Sequence, residues 1–144
     1  MRAKCVSTTI NDVQRQELAL KPYQQMDVRG YLTIGKEYPV LGLEFEVDPQ
    51  GFESGVYIWI VPDVGYLVRF RTVYFEISDP PVSSQWQIQL HHAGNVTLWP
   101  PLFYRDDYLE TYCRQDEYDQ DDIRAVLDAF EEVIRQLTTE AESR

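Results

Sequence analysis

Two histidines, two cysteines and 24 carboxylates are the residues of this 144-residue chain whose types could do chemistry. Cys113 with His91 or His92 would make a nucleophile and its base, since such partners meet in space rather than in sequence. The plainer reading makes Cys113, which follows the mixed stretch 103–112, a packed thiol. His91 and His92 are adjacent, so on a strand their rings point to opposite faces and cannot easily share a metal ion. No further Cys or His pair completes a zinc set, and the two read as exposed residues at a strand end. Asp116, Asp119 and Asp121 lack the alternating aspartates, central glycine and terminal glutamate of a calcium loop. Paired carboxylates act as acid and base only where burial separates their pKa values, and the stretch 114–122 is too polar for that. Seven glycines occur singly, in no phosphate-binding spacing, and no serine sits in a nucleophile elbow. The expectation is a non-enzymatic chain with no catalytic residue, metal or cofactor.

What remains is a surface. Lys and Arg number 13 against 24 Asp and Glu, a net charge of −11. Residues 1–75 carry 8 basic and 9 acidic side chains, whereas 76–144 carry 5 and 15, so nearly all of the excess lies in the second half. That balance argues against nucleic acid as a partner, because phosphate contacts need a surplus of Lys and Arg. The densest acidic stretch interleaves with aromatics: Trp99, Tyr104, Asp106, Asp107, Tyr108, Glu110, Tyr112, Asp116, Glu117 and Tyr118. Tyr104, Tyr108 and Tyr112 are four residues apart, which puts them on one face if 104–113 is a helix. Aromatic anchors among charges are what protein interfaces use, the rings supplying area and the charges steering encounter. The competing reading tucks the tyrosines against a sheet and leaves the acids to cap the following helix and to face solvent.

The elements that would position these residues are mostly short strands. A strand at 4–7 and a ragged helix over 9–20, closed by Pro22, open the chain. Over 38–47 Leu41, Leu43, Phe45 and Val47 alternate with Gly42, Glu44 and Glu46, the pattern of a half-buried strand. Asp48-Pro49-Gln50-Gly51 is a turn, and 56–61 (VYIWIV) is apolar on both faces, as an interior strand is. Pro62-Asp63-Val64-Gly65 reverses the chain into 66–70, and Val73, Phe75 and Ile77 continue or restart that strand. Arg69 and Arg71 share one face there and pair with Glu44 or Glu46 across the sheet, or mark an anion site. Asp79-Pro80-Pro81 breaks the pattern. Trp86, Ile88 and Leu90 then alternate with glutamines in the cleanest strand of the chain, and Ala93-Gly94-Asn95 turns it into 96–99. Ile123, Val126, Leu127, Phe130, Val133, Ile134 and Leu137 form one continuous helical stripe, predicting a helix over 121–139 capped by Asp119 or Asp121. The fold class expected is α+β: a small twisted antiparallel sheet or partly open barrel, with a C-terminal amphipathic helix packed on it. No linker or repeat divides 1–144, so one domain is expected. No apolar run nears a membrane span and no signal peptide is visible, so a cytoplasmic chain with two free thiols is expected.

Leu32-Thr33-Ile34-Gly35-Lys36-Glu37-Tyr38-Pro39-Val40-Leu41 resembles the opening strand of small bacterial proteins with SH3-like sheets, found among or beside toxin-immunity genes. Asp63-Val64-Gly65 matches the turn of their hairpin, and Phe75-Glu76-Ile77 the end of their next strand. The resemblance spans about 45 residues and stops before the acidic second half. It implies a bacterial, cytosolic, non-enzymatic binder. With the charge, it leads to an immunity protein whose acidic, tyrosine-bearing face covers a basic surface of a cognate toxin. Two other classes stay open: a small enzyme with a carboxylate or Cys/His site, and an accessory subunit of a larger assembly.

Overall fold

The computed structural model describes residues 1–18, 27–50 and 54–143. The end of the expected first helix (residues 19 and 20), Pro22 and Gly51 lie outside them. The order of elements is β1 (Arg2–Cys5), α1 (Asp12–Glu17), β2 (Glu37–Pro39), β3 (Gly42–Glu46), β4 (Gly55–Ile60), β5 (Val68–Arg71), β6 (Phe75–Asp79), β7 (Gln87–Leu90), β8 (Val96–Trp99), α2 (Tyr108–Cys113) and α3 (Arg124–Glu142). They build two antiparallel sheets that do not close into a barrel, ordered β2-β1-β6 and β5-β4-β3-β8-β7.

The chain changes sheet three times: at Val40-Leu41, at Thr72–Tyr74 and again between β6 and β7. Residues 38–47 split at Val40-Leu41, so β2 pairs with β1 while β3 pairs with β4 and β8. After β5, a 3-10 turn at Thr72–Tyr74 carries the chain from the larger sheet into the smaller one. One core fills the gap between the sheets: Ala3, Cys5, Tyr38, Ile58, Ile60 and Phe70 are buried there. A second lies on the opposite face of the larger sheet, where Leu41, Trp59, Phe103, Tyr112, Phe130 and Leu137 pack beneath α3. β4 serves both cores, which is why its sequence is apolar on both faces. Gly42 is required beside it, because a Cβ there would stand 2.9 Å from Trp99 Cδ1.

The stretch from Leu32 to Leu41 has a structural task. Tyr38, buried at 2% exposure, donates its hydroxyl to Asp63 Oδ1 at 3.1 Å and accepts the Thr33 N–H at 2.9 Å. Thr33 Oγ1 and Lys36 Nζ donate to the same carboxylate at 2.6 and 2.5 Å. Asp63 thus clamps the approach to β2 onto the loop that follows β4. The Lys36 ammonium and these hydroxyls hold its carboxyl below the ordinary range.

Three expectations are corrected. α1 is shorter than 9–20 and buries no side chain, because its Asn11–Gln14 capping box fixes the start but Val13 faces solvent. Residues 104–113 are not one helix. A 3-10 turn at Pro101–Tyr104 precedes α2, and Asp106 between them adopts a left-handed φ of 44° that breaks the run. The final helix begins at Arg124 with Ile123 as its cap residue and no side-chain cap; Asp119 instead accepts the Asp121 N–H in the preceding turn.

Candidate functional site

A groove of about 740 Å³ lies along the outer edge of β5. Its floor is the run from Tyr66 to Phe70. Asp27, Val28 and Tyr31 form one wall, and Tyr112, Cys113, Gln115 and Asp116 the other. β5 is an outer strand of its sheet, so alternate peptide groups point either to β4 or out of the sheet. The Trp59 carbonyl is taken on the β3 side by the Leu41 N–H at 2.8 Å, which turns Ile58 and Ile60 toward β5. Their register partners Phe70 and Val68 therefore face β4, and the peptide groups of Leu67 and Arg69 face the groove. The Leu67 N–H is already held by the Tyr112 hydroxyl at 3.2 Å. The Arg69 N–H and C=O meet no partner among the described residues.

Arg69 brings a cation to this edge, but its charge is met within the sheet. Its guanidinium donates to Glu44 at 3.0 Å and Glu46 at 2.5 Å, and lies 4.2 Å over the Tyr57 ring. Desolvation opposes the charge, and the two carboxylates outweigh it, so the group stays firmly protonated. Cross-strand pairing was one of the two roles read for this residue, and it is the one observed. Glu44 also accepts the Trp59 indole N–H at 3.1 Å. Arg71 donates to the Ser54 carbonyl and lies over the same tyrosine ring.

The ten residues singled out between Trp99 and Tyr118 divide between scaffold and surface. Trp99 is half-buried, edge-on to Trp59 and tilted against Tyr104 at 5.1 Å. Tyr104 donates to the carbonyl of Gln87 or Thr97, and it meets the Thr97 hydroxyl at 2.7 Å. Tyr112 is stacked on Phe130 at 4.4 Å and 20°, and burial raises its pKa. Tyr108 is half-buried beneath the Arg105 guanidinium. These four pack inward, as the competing reading held. Asp106, Asp107, Asp116 and Tyr118 are exposed, whereas Glu110 and Glu117 share Arg114 as their ion-pair partner. Tyr112 and Asp116 are the two that reach the groove.

The Cys/His arrangement is not assembled. His91 Nε2 contacts the Thr97 hydroxyl at 2.9 Å, on the β7–β8 hairpin. Cys113 is exposed on the groove wall rather than packed, with desolvation of its sulfur raising the thiol pKa and Arg69 opposing that shift. Among the described residues no three His, Cys, Asp or Glu side chains gather to hold a metal ion, and no helix is long and apolar enough to cross a membrane.

Asp27, Val28, Tyr31 and Tyr66 were missed as site residues. A signal existed in Arg69 and Arg71, since charges on a strand often guard a sheet edge. Comparison of the chain with protein-family models, curated proteins and solved structures returns no match.

Proposed function

We propose that this chain is a protein-binding domain that takes an extended, basic segment of its partner along the outer edge of β5. In the cell it acts as an immunity protein, occluding a basic surface of a toxin. The observation that carries this reading is an open strand edge at the floor of a groove, with a carboxylate on each wall. A strand added there gains main-chain bonds from Arg69, while its side chains fall alternately toward Tyr31 and toward Tyr112. Asp27 is paired with Arg29, which leaves Asp116 and the exposed acids before α3 to supply the negative field. That field steers a cationic segment and raises its rate of encounter, an effect that salt screens.

The test is fluorescence anisotropy with a labelled heptapeptide alternating lysine and valine. Saturable binding that weakens with salt is expected, together with none for the glutamate-valine counterpart. N-methylation of the peptide bonds that would face β5 keeps the charge and removes the donors, and it should abolish binding. Neutralising Asp106, Asp107, Glu110, Asp116 and Glu117 together should weaken binding and flatten its salt dependence. Equal binding of the acidic or the N-methylated peptide sinks the proposal.

A further inference from the structure

β7 is where alternation in the sequence is cleanest, and its apolar face is left open. All four of its residues are exposed, Ile88 at 65% and Leu90 at 80%. The register explains why. Ile88 stands beside Leu98 and Leu43, and Leu90 beside Val96 and Phe45, so two apolar rows cross three strands on one face. That is the face whose other half, at β4 and β5, is covered by the three-stranded sheet; Leu43 lies at the boundary, packed against the covered core. Beyond it the rows run into solvent. Phe45 is 41% exposed and Val47, one step past β3, 51%.

We infer that a second copy of this chain covers this open face, the two larger sheets packing face to face about a two-fold axis. Charge selects the occupant. Residues 80–104, which build the β7–β8 hairpin, contain no Asp, Glu, Lys or Arg in a chain of net charge −11. A basic partner is drawn to the acidic second half and gains nothing electrostatically here. A second copy is repelled by the acidic stretch 106–122 and approaches this uncharged face without that cost. Geometry agrees, since short apolar rows on adjacent strands are what two sheets interdigitate at roughly 10 Å. The four exposed side chains present on the order of 400 Å². Half-buried Leu43, Val56, Val96 and Leu98 extend this apolar face, which forms the centre of a contact for which a stable interface needs roughly 800 Å² per partner. Two such faces meeting extend the inter-sheet core across the dimer.

Sedimentation velocity over about a hundredfold concentration range tests this. The wild-type chain should be a dimer that dissociates on dilution and strengthens with salt, as the −11 on each copy is screened. That sign is opposite to peptide binding in the β5 groove, so the two proposals fail separately. Leu90→Lys and Val47→Lys, at exposed positions on different strands, should each weaken the dimer by about a hundredfold or more while the urea midpoint of the monomer is unchanged, because the two-fold brings two lysines into the contact. A wild-type monomer at every concentration overturns the inference. So does a dimer that survives both substitutions, one broken by Leu90→Lys alone (edge pairing of β7 instead), or an open-ended series of oligomers.

Discussion

Tyr112 joins the second core to the groove, and Tyr112→Phe separates its two roles. The ring stays, stacked on Phe130 at 4.4 Å, so no cavity opens. Only the hydroxyl that accepts the Leu67 N–H is lost. A neutral hydrogen bond contributes about 0.5–1.5 kcal/mol net, and a donor left buried without a partner costs about 1–3 kcal/mol. Leu67 is 2% exposed and the bond is buried beside the groove, so the cost falls where these two ranges overlap. We expect a loss of about 1 kcal/mol, read as a lower urea midpoint at unchanged slope. The same substitution releases a second outward donor on the β5 edge. One added main-chain bond of about 1 kcal/mol should tighten the lysine-valine peptide about fivefold. Stability and affinity should therefore move in opposite directions. A fall in stability with unchanged or weaker peptide binding refutes docking along β5, and unchanged stability refutes the structural role of the hydroxyl.

Asp63→Asn should cost about 1 kcal/mol at neutral pH, a modest figure because Lys36 is half exposed. The native carboxyl is held below its ordinary 3.8, chiefly by Lys36 and then by Thr33. Its stabilisation is therefore present above about pH 4 and lost as pH falls through the native value. Urea midpoints of wild type and variant should converge in acid, and a constant gap down to pH 3 would count against the clamp. Phe130→Ala removes a fully buried ring stacked between Phe103 and Tyr112, and it should cost about 3–5 kcal/mol by calorimetry. Because Tyr112 loses its support, the variant should also bind the peptide more weakly; undiminished affinity would show that the α2 wall does not shape the groove.

The local alphabet of this fold was legible in the residues. Turns at Asp63-Val64-Gly65 and Ala93-Gly94-Asn95, the breaks at proline pairs, the doubly apolar β4 and the stripe of α3 all follow from backbone sterics and side-chain periodicity. Those act within a few residues and need no knowledge of the rest of the chain. The Arg69–Glu44 and Arg69–Glu46 pairs were one of two alternatives read from the residues; β5 and β3 are not neighbours, and Arg69 reaches both carboxylates across β4. The acidic bias of the second half is likewise a property of composition alone.

Tertiary structure decided the rest. Alternation says that a strand has an apolar face, but not that the face is covered. Val40-Leu41 and Thr72–Tyr74 hand the chain from one sheet to the other, and only strand order then places β5 and β7 at the outside. The consequence is that Ile88 and Leu90 point into solvent, whereas Ile58, on the same face, is sealed between sheets. Spacing put Tyr104, Tyr108 and Tyr112 on one helix; long-range contacts pin Tyr104 to β8 and stack Tyr112 on Phe130, and the backbone breaks at Asp106 to allow both. Hydrophobic burial is non-directional, so residue type sets what seeks cover, while chain topology sets what finds it.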